Sequence, residues 1–235
     1  MPAAATVLIT QTHPNHLALT AGAEQLGLNT IAKACVQITP LNISSIRAQG
    51  IAEADCWVFL SSHSVRHGLP PLQSCYQGQH IIAIGPSTAA TLNEYQQPAN
   101  TIAQPHTSTA IAQLEYFEKP RNIAIFSGKN SPKKLYHLLK KQHQVYQYAP
   151  YRRQTATAES FAISNDELNQ INTITSHSTQ SLQQLNTCIQ AFNYQALYEK
   201  QLIVITTVMA TAAKQMGFKH IHLAQGPTAD AILST

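Results

Sequence analysis

The residues best suited to chemistry in this chain are hydroxyls, and they come in groups. Ser61, Ser62 and Ser64 follow the apolar run Cys56 to Leu60. Ser87 and Thr88 follow Ile81 to Ile84, Ser127 follows Asn122 to Phe126, Ser176 and Ser178 follow Thr173 to Thr175, and Thr206 and Thr207 follow Leu202 to Ile205. A hydroxyl just after a strand caps the N-terminus of the next helix. Beside free helix N–H groups it also helps to bind an anion with few formal charges. For any one residue, capping is the simpler explanation. Taken together, the groups point to a crevice for a carboxylate-rich ligand.

Other chemistries find little support. His63 and His67 are four residues apart and could share a helix face, but no H-E-x-x-H or carboxylate completes a metal site, so solvated or capping histidines are expected. The chain has no G-x-S-x-G, no G-x-x-x-x-G-K-[ST], and no G-x-G-x-x-G after its first apolar run. Hydrolase, NTPase and dinucleotide readings are therefore weak. Cys35, Cys56, Cys75 and Cys188 show no C-x-x-C spacing and read as reduced, mostly buried thiols. The lysines between 133 and 141 read as a solubilising face.

The elements that must position these groups are short. Ten apolar runs alternate with helix-period segments: Val7–Thr10, Thr30–Ala34, Cys56–Leu60, Ile81–Ile84, Thr101–Ala103, Asn122–Phe126, Val145–Tyr148, Thr173–Thr175, Leu202–Thr206 and His220–Leu223. Such alternation implies parallel sheets with right-handed crossovers, an α/β class. Leu17, Ala21 and Leu26 before Gly27 suggest a first helix with a glycine stop. Gly85-Pro86 starts a helix directly after a strand, and Ser131-Pro132 reads as N-cap and first residue of the lysine-rich helix.

The order of elements repeats. Trp57-Val58-Phe59-Leu60-Ser61-Ser62-His63-Ser64 is echoed by Asn172-Thr173-Ile174-Thr175-Ser176-His177-Ser178. Each copy is preceded by strand, helix and strand ending near a proline, Thr6 to Pro40 in one half and Asn122 to Pro150 in the other. So long a period means a duplicated domain and not a solenoid. Extended segments around Pro40 and Pro150 look like paired crossings. The pattern allows two partitions with five strands each: a cut near Pro120, or a chain that crosses at the prolines and returns.

Composition bounds the partner. Of 235 residues, 44% are apolar but only 11% are charged, with net charge +4 and pI about 8.9. That field favours a small polyanion and lacks the basic density of a nucleic-acid binder. Met1 to Gln11 has no basic n-region, and no apolar run approaches the roughly 20 residues that span a bilayer, so a cytoplasmic protein away from membranes is expected.

Several segments resemble the uroporphyrinogen-III synthase family, over essentially the whole chain. Asp55-Cys56-Trp57-Val58-Phe59-Leu60-Ser61-Ser62-His63-Ser64-Val65 is similar to D-x-x-x-F-T-S-x-x-x-V. Ile84-Gly85-Pro86-Ser87-Thr88-Ala89 is similar to I-G-x-x-T-A, and Pro150-Tyr151-Arg152-Arg153 to V-Y-R. Ile174-Thr175-Ser176 and Ala224-Gln225-Gly226-Pro227-Thr228 also fit. Each motif is degenerate alone; their order and spacing carry the likeness. The chain departs from the pattern at Gln11, where the family often has Arg, and at Gly128-Lys129-Asn130-Ser131-Pro132, where it often has G-x-G-G-R.

The resemblance implies two flavodoxin/Rossmann-like lobes with parallel sheets, joined by a two-stranded β-ladder. One lobe comprises residues 1–37 and 152–235, the other 42–148, with linker strands at 38–41 and 149–151, thin enough to allow hinge motion. It implies a cofactor-free lyase, with no metal, that cyclises hydroxymethylbilane with inversion of ring D to give uroporphyrinogen III. It also implies Tyr151 as the acid. Substrate carboxylates would be held by Ser62, Ser64, Gly85, Ser87, Thr88, Ser127, Ser176, Ser178 and Thr206, with Lys129, Lys133 or Arg152 replacing the missing arginine charge. Handover from hydroxymethylbilane synthase and a monomeric state are expected. Two rivals belong to other classes. A non-catalytic two-lobed binder of a small anion would share this crevice, whereas a sugar transferase would need acidic residues that the strand ends lack.

Overall fold

The structure, a computed structural model, describes residues 5–12, 16–42, 50–226 and 229–233. Pro227 and Thr228 of the closing motif lie outside the described residues. In chain order the elements are β1 (Thr6–Ile9), α1 (Leu17–Gln25), β2 (Asn29–Ala32), β3 (Val36–Pro40), β4 (Cys56–Phe59), α2 (Ser62–Gly68), β5 (His80–Ala83) and α3 (Pro86–Glu94). They continue with β6 (Thr101–Ile102), α4 (Ser108–Ala112), β7 (Asn122–Gly128), α5 (Lys134–Leu139), β8 (Gln144–Thr155) and α6 (Asn165–Gln170). The last are β9 (Ile171–Ser176), α7 (Thr179–Ala191), β10 (Gln201–Val204), α8 (Thr207–Met216), β11 (His220–Leu223) and α9 (Ala229–Leu233). The chain divides into two compact units, Met1–Gln37 with Gln154–Thr235, and Ile38–Arg153.

In the first unit five parallel strands run in the order β11-β10-β9-β1-β2. Crossovers leave β1 toward one edge and β9 toward the other, so the chain reverses direction between β1 and β9. In the second unit the order is β3-β8-β7-β4-β5-β6, parallel from β8 to β6. Here the reversal lies between β4 and β7. Ligands of open α/β sheets bind outside the strand C-termini at such reversals. That rule points to Gln11 and His177 in the first unit and to Ser61 and Gly128 in the second.

The two sheets match strand for strand. The series β2-β1-β9-β10-β11 has the sequence-repeat partners β8-β7-β4-β5-β6, and the repeated motif strand, β9 or β4, is the middle one in each. Each sheet thus combines the front of one repeat with the back of the other. Strand β3 lies on the outer edge of β8. Leu41 N–H donates to Pro150 O (2.8 Å) and Ala156 N–H to Cys35 O (3.0 Å), so the two run antiparallel. Where the sequence suggested a strand ending at Tyr148 and a separate linker, β8 is one continuous twelve-residue strand.

Both faces of each sheet are covered, which is why the strands read as unbroken apolar runs. On β1, Leu8 faces Phe161, Ile174 and Leu185, while Val7 and Ile9 face Leu19 and Ile232. On β4, Trp57 and Phe59 pack with Phe126 and Tyr148; Cys56 and Val58 pack with Ile82 and Ile125. Period-two alternation assigns these faces.

One local expectation, the start of the lysine-rich helix, needs correcting, and the first helix shows which of its residues are buried. Helix α1 buries Leu19, Gly22 and Ala23, whereas Leu17 and Leu26 are half exposed. The small Gly22 allows α9 close, since a Cβ there would lie 3.2 Å from Ala229 Cβ. Helix α5 begins at Lys134, with no side-chain cap on its N-cap residue Lys133. Ser131 belongs instead to the turn leaving β7, its N–H on Gly128 O (2.9 Å). Gly27 does stop α1 with φ +69°, and Gly85-Pro86 does start α3.

Candidate active site

Ser61 leaves β4 in an extended conformation and caps α2. Ser64 N–H donates to Ser61 Oγ, and Ser61 N–H donates to Ser64 Oγ, both at 3.1 Å, while the Ser64 hydroxyl donates to Ser61 O at 2.6 Å. This reciprocal box satisfies donors that a helix start otherwise leaves free. It consumes Ser64 wholly, since that side chain is fully buried.

Tyr151 comes to Ser61 through an irregularity in β8. Phe126 pairs with Tyr148, but Gly128 pairs with Tyr151, so β8 spends one residue more than β7 across this step. Tyr148 and Tyr151 are an odd number of positions apart and in a regular strand would face opposite ways. The bulge puts both on the face of Phe126. Pro150, which has no N–H for the ladder, sits within it.

The phenol is tightly held. Tyr151 is 2% exposed and its hydroxyl lies 3.0 Å from Ser61 Oγ. Gly128 closes one side: a Cβ there would be 3.0 Å from Tyr151 Cζ and 3.1 Å from Cε2. His63 and His67 flank the ring, with centroids 5.6 and 5.9 Å away. Gly68 lets α2 approach β7 and β8, because a Cβ there would meet Phe126 at 2.8 Å and Pro150 at 3.1 Å.

The expectation of solvated histidines fails for His63, which is 7% exposed and part of this wall. Burial first, then the charges of Arg153, His67 and Arg66, push its imidazole down to about 4, so it is neutral at pH 7. Burial and Arg66 lower His67 as well. Arg66 itself is paired with Glu94, at 2.7 Å and 3.3 Å.

The other expected residues fall into two sets. In the second unit, Ser62 Oγ donates to Ser87 O (3.0 Å), tying the starts of α2 and α3 together, and Ser87 is exposed. Gly85 caps α3 beneath His106, Thr88 is buried in that helix, and Ser127 is half-buried at the end of β7. Lys129 is exposed, with its backbone N–H on Tyr151 O (2.9 Å), and Arg152 is half-buried, its Nε without a hydrogen-bond partner among the described residues. In the first unit, Ser178 and Thr206 cap α7 and α8, with Ser178 exposed and Thr206 exposed, while buried Ser176 meets Ser181 Oγ at 2.9 Å.

Gln11 and His177 stand two positions beyond the paired Ile9 and Thr175. Gln11 Oε1, Thr175 Oγ1 and His177 Nε2 are buried and have no hydrogen-bond partner among the described residues. Burial lowers the His177 pKa. Among the described residues no three His, Cys, Asp or Glu side chains gather as metal ligands. No helix there is long and apolar enough to cross a membrane.

Sequence reasoning named Tyr151, counted Ser61 among the strand-end hydroxyls and set His63 and His67 aside as solvated or capping, but it did not connect these residues or Gly128 to the tyrosine. A serine three residues before another at a strand end was the available sign of a cap, and a glycine closing a strand was the sign of close approach.

A profile of the family described as uroporphyrinogen-III synthase HemD matches residues 18–234. The chain belongs to this family. Family membership makes it an enzyme of tetrapyrrole synthesis. In fold it is similar to a mutant uroporphyrinogen III synthase from the extremely thermophilic bacterium Thermus thermophilus, with TM-score 0.59 and 16% identity over 98% of this chain and 97% of that one. The uroporphyrinogen-III synthetase of Helicobacter pylori is similar too, with TM-score 0.57 and 13% identity over 98% and 97%. No curated protein matches in sequence.

Proposed function

We propose that this chain is a lyase that closes hydroxymethylbilane into uroporphyrinogen III. The observation that carries the reading is the family match over residues 18–234. The reaction must remove a hydroxyl from the linear tetrapyrrole and steer the resulting azafulvenium cation to the substituted carbon of ring D. The spiro product then fragments and recloses. A bound, curled substrate supplies the proximity that makes closure fast. An acid beside the hydroxymethyl group helps water depart.

Tyr151 is the proposed acid. Its support is a phenol hydroxyl fixed at 3.0 Å from a serine that stands at the reversal of the second sheet, where α/β proteins hold ligands. Exposed hydroxyls and cations, Ser87, Lys129, Ser178 and Thr206 together with half-buried Ser62, Ser127 and Arg152, suit the substrate's eight carboxylates, and the net charge of +4 has the right sign. Gly85, Ser64, Thr88 and Ser176 belong to this set through the helix starts and strand ends that they order. The proposed enzyme works as a monomer in the cytoplasm without a cofactor, taking its labile substrate from hydroxymethylbilane synthase. The test is turnover: freshly made hydroxymethylbilane is mixed with the protein and the isomers are resolved. Type III product supports the reading, and type I alone, the spontaneous outcome, refutes it.

A further inference from the structure

We propose that Ser61 is the residue that touches the departing hydroxyl and that Tyr151 acts through it, the two forming a proton relay. This rests on the synthase reading above and assigns a role to a residue which that reading leaves out. Tyr151 is 2% exposed, walled by Gly128 on one side and by His63 and His67 on another, so its hydroxyl has little access to a ligand as large as a linear tetrapyrrole. Ser61, by contrast, is half-buried at the strand end where the sheet reverses.

The hydrogen bonds permit a direction, since either hydroxyl of the Ser61 and Tyr151 pair can donate. Ser61 Oγ accepts Ser64 N–H at 3.1 Å and meets the Tyr151 hydroxyl at 3.0 Å. A serine oxygen has two acceptor positions and one proton. With Tyr151 donating, both positions are filled by incoming donors and the serine O–H is left for a third partner. Hydrogen bonds in such a chain strengthen one another.

The step balances. As the substrate C–O bond breaks with its electron pair on oxygen, the Ser61 proton passes to that oxygen and water forms. The Tyr151 proton moves to Ser61 Oγ, leaving a tyrosinate beside the new azafulvenium cation. The substituted carbon of ring D that bonds first carries no proton. The spiro intermediate breaks its old bond to the bridging methylene, leaving a second azafulvenium cation. The free α-carbon of ring D bonds to that cation and loses its proton, which returns to Tyr151 through Ser61. Substrate becomes macrocycle plus water, with no proton consumed.

Ser61 is also a helix cap, so the test must separate the two roles. Ser61→Asn keeps a capping oxygen but has no hydroxyl, Ser61→Gly is tolerated at caps and serves as a second variant if Asn misfolds, and Ser61→Thr keeps both functions. Each is measured with freshly prepared hydroxymethylbilane, following type III formation, kcat, KM, the solvent deuterium isotope effect and thermal melting. For the relay, kcat of Ser61→Asn falls about tenfold or more with KM little changed. The isotope effect shrinks, and Ser61→Thr recovers most of the loss. Because the two residues act as one unit, the Ser61→Asn/Tyr151→Phe double variant is no slower than the slower single. Wild-type kcat in both Ser61→Asn and Ser61→Gly, or single losses that multiply in the double variant, overturns the relay alone. A wild-type protein that yields only type I isomer overturns the synthase reading and the relay with it.

Discussion

Gly128 lies so close to Tyr151 that a methyl group on its α-carbon would stand 3.0 Å from the ring carbon bearing the phenol oxygen. A second clash, at 3.2 Å, awaits with Ser131 Oγ. Gly128→Ala therefore displaces either the ring or the turn. We expect a loss of about 1–3 kcal/mol in stability from overpacking, with a fall in kcat as the phenol leaves Ser61. Denaturant unfolding and turnover check this together. Gly27→Ala serves as the contrast: it strains a backbone at φ +69° with nothing within 4 Å, so it should cost about 1 kcal/mol and leave kcat alone.

Tyr151→Phe removes a hydroxyl and keeps the ring that fills the space between Gly128 and the histidines. Its effect should fall on kcat, about tenfold, with KM nearly constant, because a weak acid assists a labile leaving group less than the usual 10²-fold. Steady-state kinetics at several substrate concentrations decides it. A rise in KM at constant kcat would instead make Tyr151 a binding residue.

His63 should make the protein acid-sensitive within a defined window. Its imidazole is pushed from the ordinary 6.5 to about 4, so between those values the unfolded chain takes up the proton more readily and stability falls as pH falls. The contribution is complete above pH 6.5 and gone below about 4. Its size is at most about 3.5 kcal/mol, the fall from 6.5 to about 4 counting about 1.4 kcal/mol for each pH unit. His63→Phe keeps an aromatic wall and should flatten the stability profile in that window; an unchanged profile would show that the titrating group lies elsewhere.

Salt should weaken substrate binding, since screening reduces attraction between a polyanion and exposed cations. Lys129→Gln and Arg152→Gln should each raise KM about fivefold, as an exposed ion pair worth about 1 kcal/mol implies. Neither should change kcat, and both should reduce the dependence of KM on ionic strength. Two variants with wild-type KM at low salt would remove these residues from the binding surface.

Much of this molecule is written locally in its sequence. Alternating apolar runs gave the strands because burial on both sheet faces demands continuous hydrophobicity, and the hydroxyls after them gave the helix starts because Ser and Thr satisfy free N–H groups there. Gly27 and Gly85-Pro86 marked ends and starts for equally local reasons. Periodicity also exposed the repeat and its order of elements. The buried stripe of α1 was not legible locally: Leu17 and Leu26 are apolar yet half exposed, and the stripe includes the small Gly22 that admits α9, a partner far along the chain.

Which halves pair is not decided by the residue pattern itself: the family resemblance implied it, and only the tertiary structure carries the physical reason. The front strands of each repeat have the same local pattern as their counterparts, so nothing short-range says whether β1 joins β4 or β9. It pairs with β9, in register from Val7 with Thr173 to Ile9 with Thr175. The site was hidden for the same reason. Tyr151 was visible as a candidate, but its orientation depends on an extra residue in β8 that restores its face, on Gly128 from the neighbouring strand, and on a cap built by Ser61 from another. Strand parity and side-chain contact are properties of pairing, and pairing between distant segments leaves no periodic trace in a single chain.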